Sequence, residues 1–171
     1  GMGNCAFGLL SSDQGPGLLL ETVFLLESIS PEGLEVSRFL PALPVRVVMD
    51  HFHNDVTDQY PDKQLHSRMK PDDPAWFKDM PDIRQDLIPQ MIRAAQAAAE
   101  KCSNEIKTSR KNAAIDVLEK ETQRLDDLSR VNPHINKNEI QLIRQRITDL
   151  SRAMDDARLR LDSLRLIRLQ P

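Results

Sequence analysis

The sequence predicts an α+β fold: an antiparallel sheet of about four to five strands, with a long antiparallel helical hairpin inserted before the last strand. Three observations predict it. Apolar, β-branched runs separated by turn chemistry fill the first fifty residues. Two heptad-like seams flank a short proline-containing loop in the second half. At its end the chain returns to alternation at Leu164, Leu166 and Ile167, with Arg165 and Arg168 between them.

The first predicted strand is GNCAFGLL (3–10), closed by the loop chemistry of SSDQGPG. LLLETVFLLESI (18–29) alternates imperfectly and admits a helix, but its Thr, Val, Phe and Ile favour a strand. Ser30-Pro31-Glu32-Gly33 places Pro and Gly where a type I turn prefers them, so LEVSRFL (34–40) is expected to pair back as a hairpin. After a corner at Pro41–Pro44, PVRVVMD reads as a fourth strand. Successive strands with short connections imply an antiparallel meander over 2–51. The Pro- and Asp-rich stretch 52–83 has no sustained period and reads as a linker, with Leu65, Trp76 and Phe77 pinned onto the sheet or the helix base.

Residues 84–163 read as the helical hairpin. Ile140, Ile143, Ile147, Leu150, Met154, Ala157, Leu161 and Leu164 recur at steps of three and four, which places them on one stripe of a helix. A matching stripe runs upstream through Ile88, Ile92, Ala95, Ala99, Cys102, Ile106, Ser109 and Ala113, then slips register to Ala114, Leu118, Leu125 and Leu128. In the loop VNPHINKN, Pro133 cannot continue a helix, and Asn136 with Glu139 reads as a capping box. So short a loop favours an intramolecular hairpin over dimerisation through the seam. Pro89 marks either the first turn of the long helix or a kink after a short starter. The Ala-rich segment after it lies beyond the reach of the shorter second helix and is expected to pack on the sheet. Residues 164–171 form the returning strand, completing one domain.

At 171 residues and 40% hydrophobic, the chain reads as a soluble globular protein with a genuine core. Gly1 ahead of Met2 reads as an expression remnant, and no signal peptide or membrane span follows. Cys5 and Cys102 read as buried thiols of a reducing compartment. The net charge of -3 conceals an asymmetry: residues 1–83 carry 6 basic and 13 acidic side chains, the remainder 17 and 13. The basic half is too dilute to argue for nucleic acid by itself, and one tryptophan and one tyrosine offer little for base stacking.

Chemistry-bearing motifs are sparse. His51 and His53, with Asp50 or Asp55, could form a metal site, but without a third well-spaced ligand a strand entering a solvated loop is the stronger reading. No phosphate-binding loop, dinucleotide fingerprint or nucleophile elbow is present, and Asp72-Asp73 reads as a solvated loop. Arg144, Arg152, Arg158, Arg160, Arg165 and Arg168 form a stripe that reads as a solvated helix face with pairs such as Asp156–Arg160, or as a partner face. No catalytic, cofactor-binding or metal residue is predicted. The partner-binding candidates are Arg130, Asn132, His134 and Lys137 at the hairpin tip, and Arg38 and Arg46 at the sheet edge.

Six stretches in order, GNCAFGLL, LLLETVFLLES, RFLPALPVRVVMD, RAAQAAAE, RLDDLSRVNPHI and RLDSLRLI, resemble the C-terminal region of the RapA (HepA) family, bacterial RNA polymerase-associated ATPases of the SWI/SNF helicase superfamily. The resemblance spans the chain except about 52–83. It implies a C-terminal fragment of a longer cytoplasmic protein whose ATP- and Mg-binding helicase motifs lie upstream, with no cofactor in the fragment. It further implies a non-catalytic module that aids polymerase recycling and whose partners are the polymerase core and the ATPase lobes of its own chain. Nucleic acid is a possible partner through the parent, and no membrane is involved. Two other readings remain: a nucleic-acid-binding arm, and an independent hairpin adaptor for oligomerisation. No family active-site residue has a counterpart here.

Overall fold

β1 (Asn4–Ser11), β2 (Gly17–Glu27), β3 (Leu43–Asp50), the two-residue β4 (Lys70–Pro71) and β5 (Arg158–Gln170) form one sheet in the computed structural model, which describes residues 4–29 and 35–171. Their order in space is β3-β2-β5-β1-β4. The α+β class and the helical insertion before the last strand are as the sequence predicts. The meander is not: β5 lies between β1 and β2 and runs parallel to β1, from Asn4 opposite Ser163 to Ser11 opposite Gln170. Short connections between β1 and β2 suggested pairing, but β5 takes the position between them and pairs with β1 from Asn4 to Ser11. The predicted turn at 30–33 and the thiol of Cys5 fall outside the described residues and side chains.

Over these residues the chain divides into two compact units, Gly1–Leu25 with Pro44–Cys102 and Leu159–Pro171, and Leu26–Leu43 with Ser103–Arg158. In the first, Leu10, Leu19, Val48, Val56, Leu65 and Ile167 form a core under Tyr60 and Met69. β2 is buried on both faces from Leu18 to Thr22, which explains its imperfect alternation: a strand covered on both sides reads as a nearly continuous apolar run. Gly8, opposite Ile167, lies against the Met69 side chain, so a Cβ there would require that side chain to shift.

The stretch expected to be a linker is built. It contains a 3-10 turn at Thr57–Gln59, helix α2 (Asp62–Arg68), β4 and a helical turn α3 (Ala75–Lys78). Leu65 is buried, and Trp76 and Phe77 pack edge-on against Phe7 at 6.5 and 5.5 Å. A π-helical turn, Ile83–Leu87, then leads into the long helix α4 (Ile88–Val131). Pro89, which has no N–H to donate, sits in the first turn of that helix, directly after the wider turn. Residues of α4 up to Cys102 belong to the sheet unit, where Met91, Ala95 and Ala99 are fully buried.

In the second unit, α4 continues to Val131 and α5 (Lys137–Asp155) returns antiparallel to it, with Lys107 Nζ donating to the Asp155 carbonyl (3.2 Å) and Lys111 Nζ to its carboxylate (2.9 Å). Buried positions on α4 advance largely in steps of four, through Ser103, Ala114, Leu118 and Thr122. The predicted Cys102 is half-buried, and Ser109 and Ala113 are exposed. A straight helix drifts against a strict seven-residue repeat, and that drift displaces the seam. Segment 35–40, expected to be a strand, holds the one-turn helix α1 (Val36–Phe39), because Val36 and Leu40, four apart, are buried together and α1 packs on α5.

α5 ends at Asp155, and β5 begins at Arg158, six residues before the predicted strand. Leu159, Leu161 and Leu164 therefore lie on a strand. The heptad stripe concealed an alternation, Arg-Leu-Arg-Leu, that the sheet uses.

Candidate functional site

The hairpin tip brings together four of the six predicted partner residues. Arg130 ends α4 and donates to Asp126 (3.3 Å). Asn132 accepts from the His134 N–H (3.0 Å), and Asn136 caps α5 by accepting from Asn138 (2.9 Å). His134 and Lys137 are exposed. The sequence reading missed two exposed apolar side chains of the hairpin, Val131 at the end of α4 and Leu142 on α5, 80% and 69% exposed. The available signal was Leu142, which lies off the α5 stripe.

Arg38 and Arg46 do not share a sheet edge. Arg38 lies on α1 over the Phe39 ring, in the hairpin unit. Arg46 lies on edge strand β3, and its guanidinium is engaged inward by Glu21, with Nε and Nη2 each 2.8 Å from Oε2. Glu21, on β2, is buried and also receives Arg165 Nη1 from β5 (3.2 Å), with His66 Nε2 of α2 at 3.2 Å. Arg165 Nη1 lies 2.7 Å from that same ring nitrogen. Glu21, Asp62 and His66 are spaced as metal ligands would be. Two guanidiniums already supply the positive charge there, so the cluster is an ion-pair network tying β2, β3, β5 and α2 together.

The predicted cluster at 50–55 does other work. Asp50 Oδ1 accepts from the Phe52 and Asn54 N–H groups (both 2.9 Å), closing a turn in which His53 adopts a left-handed φ of 64°. His51 Nδ1 accepts from the Leu18 N–H (3.4 Å), and the His53 N–H donates to the Asp50 carbonyl (3.1 Å). The arginine stripe is divided as well. Arg144 and Arg152 lie on α5, whereas Arg158, Arg160, Arg165 and Arg168 lie on β5, which removes the helical Asp156–Arg160 pair.

Arg168 holds Asp72 by a bidentate pair (3.2 and 2.9 Å), and Trp76 Nε1 donates to the same carboxylate (2.9 Å) beneath the Arg168 guanidinium. Burial pushes the Asp72 carboxyl up, but hydrogen bonds from Arg168 and Trp76, and then the Arg168 charge, outweigh it and hold the pKa below the usual 3.8. A depressed folded value contributes stability that is complete above the unfolded value and is lost as pH falls through the folded one. Melting curves of Asp72→Asn and the parent chain should accordingly differ at pH 7 and converge as pH falls below the depressed folded value. A difference that stays constant to that pH would show the charge to be irrelevant.

Beside this latch opens a cavity of about 710 Å³, within the range of ligand clefts. Trp76, Met80, Ile83, Leu87, His51 and Leu169 line it. Gly17 borders it because a Cβ would come within 2.9 Å of the His51 ring.

These features define an α+β module that presents a basic, apolar-studded helical tip and an open apolar cavity. Residues 1–168 match the family described as RNA polymerase recycling family C-terminal, and the chain belongs to that family. It is 33% identical over 168 residues to the RNA polymerase-associated protein RapA of Haemophilus influenzae, covering 97% of this chain and 18% of the relative. To the proteins of the same name from Vibrio cholerae and Proteus mirabilis it is 31% and 29% identical, covering 98% and 96% of this chain and 17% of each relative. The chain thus spans under a fifth of the length of these relatives. Among the described residues, no helix is long and apolar enough to cross a membrane.

Proposed function

We propose that this chain is the C-terminal accessory module of an RNA polymerase-associated protein and that it acts by binding. The family match along essentially the whole chain carries the reading. In the longer protein, ATP hydrolysis with its Mg belongs to segments outside this chain, and the module connects that machinery to the polymerase in the cytoplasm. The tip supplies the contact: Val131 and Leu142 offer exposed apolar anchors, and Lys137 and Arg144 are exposed cations of α5. Central apolar anchors with charged rims are the usual anatomy of a protein interface.

Titration of the 171-residue chain against labelled polymerase core at two salt concentrations tests this. Binding is expected, weakened about tenfold by Arg130→Glu/Lys137→Glu. Equal binding by that variant removes the tip from the interface. Binding only to the ATPase lobes of a full-length relative, tested in parallel, makes the module an internal brace.

A further inference from the structure

Two of the large apolar side chains exposed among the described residues stand at the cavity beside Trp76. Met80 is 47% exposed on its wall, and Phe52, 71% exposed, stacks on the lining His51 at 4.1 Å. Met80, Ile83 and Leu87 line the cavity at steps of three and four, and an exposed aspartate immediately precedes each: Asp79, Asp82 and Asp86. The π turn brings Ile83 near Leu87 and Asp82 near Asp86 along its axis, so an acidic row flanks an apolar one. The nearby cations are the lining Arg168, which is paired with Asp72, and Lys78 and Arg84, whose Nη1 donates to the Lys78 carbonyl (3.1 Å), while Asp73 adds a further acid. The rim is acidic on balance.

We propose that this cavity docks a basic amphipathic helix of a partner protein. Apolar side chains of the helix at i, i+3 or i+4 and i+7 enter beside Trp76, and its flanking lysines or arginines meet Asp79, Asp82 and Asp86. This is the helix-in-groove mode with complementary charge. The acidic rim disfavours nucleic acid and anionic lipid. A second copy of this chain is a poor occupant, because the apolar stripe of α5 is already buried at Ile140, Leu150 and Met154. A small polar ligand finds few free groups: Asp72 engages Arg168 and the Trp76 N–H, and the Leu18 N–H engages His51 Nδ1.

Trp76 is the chain's one tryptophan, so its emission reports occupancy. The probe is a tryptophan-free helical peptide with leucines on one stripe and lysines flanking it, compared with a scrambled peptide and a lysine-to-glutamate version. A saturable blue shift is expected with the first, and affinity at least about tenfold weaker for the other two. Asp82→Lys/Asp86→Lys and Met80→Glu should each weaken binding about tenfold while leaving the circular dichroism unchanged. Arg130→Glu/Lys137→Glu, in the other unit, should leave it intact whatever the polymerase titration shows. No saturable shift, equal binding of the scrambled peptide, or unchanged affinity in both cavity variants overturns the proposal.

Discussion

Glu21→Ala is expected to destabilise the sheet unit by about 3–5 kcal/mol, the usual result of removing one partner from a buried ion network. The carboxylate lies on β2, between strands that each contribute a cation. Arg46 reaches it from β3 at 2.8 Å and Arg165 from β5 at 3.2 Å, while the Glu21 side chain itself is only 6% exposed. Without it, two guanidiniums remain partly desolvated and close to one another. Replacing Glu21 together with one of its two arginines, as in Glu21→Leu/Arg46→Met, should recover part of the loss, because only Arg165 is then left without the carboxylate. Urea unfolding followed by circular dichroism measures both. A single-variant loss under about 1 kcal/mol would mean the arginines find water instead.

Ile167→Ala is expected to remove about 3 kcal/mol or more. Ile167 is fully buried on β5, which is flanked by β1 and β2, and it packs in the core with Leu10, Leu19 and Val48. Neighbours held by ladders on both sides cannot collapse into the space a truncated side chain leaves, so the cavity cost adds to the lost burial. Leu161→Ala, half-buried on the same strand, should cost about 1 kcal/mol. Equal losses at the two positions would contradict the placement of β5 inside the sheet.

The elements whose patterns are unambiguous were legible in the sequence. β3 and the Asn136-capped hairpin follow from a β-branched run, capping chemistry and a proline-bearing loop, each a local signal, whereas β2 alternated imperfectly and admitted a helix. Boundaries failed where two periods coincide. Leu161 and Leu164 satisfy a heptad as readily as an alternation, and only the sheet decides for the strand, with Leu164 paired to Cys5 of β1. Val36 and Leu40 fit period two and period four alike, and packing on α5 decides for the helix.

The candidate surfaces show the same division. The tip residues Arg130, Asn132, His134 and Lys137 were readable because a helical loop keeps sequence neighbours together. The Glu21 network was not, since Arg46, His66 and Arg165 come from three separate elements and meet at one carboxylate only when the sheet forms. The cavity was half-visible: the Met80, Ile83, Leu87 spacing is in the sequence, but the wall formed by His51 and Leu169 is not.

By itself, then, the sequence determined the α+β class, the inserted hairpin and its tip, because these depend on local propensity, side-chain period and capping. Tertiary structure alone decided the strand order, the end of α5, the burial of Glu21 and the existence of the cavity. Each of these arises from competition among distant segments for the same neighbours, and that competition is settled by which arrangement buries the most apolar surface while leaving no charge unpaired.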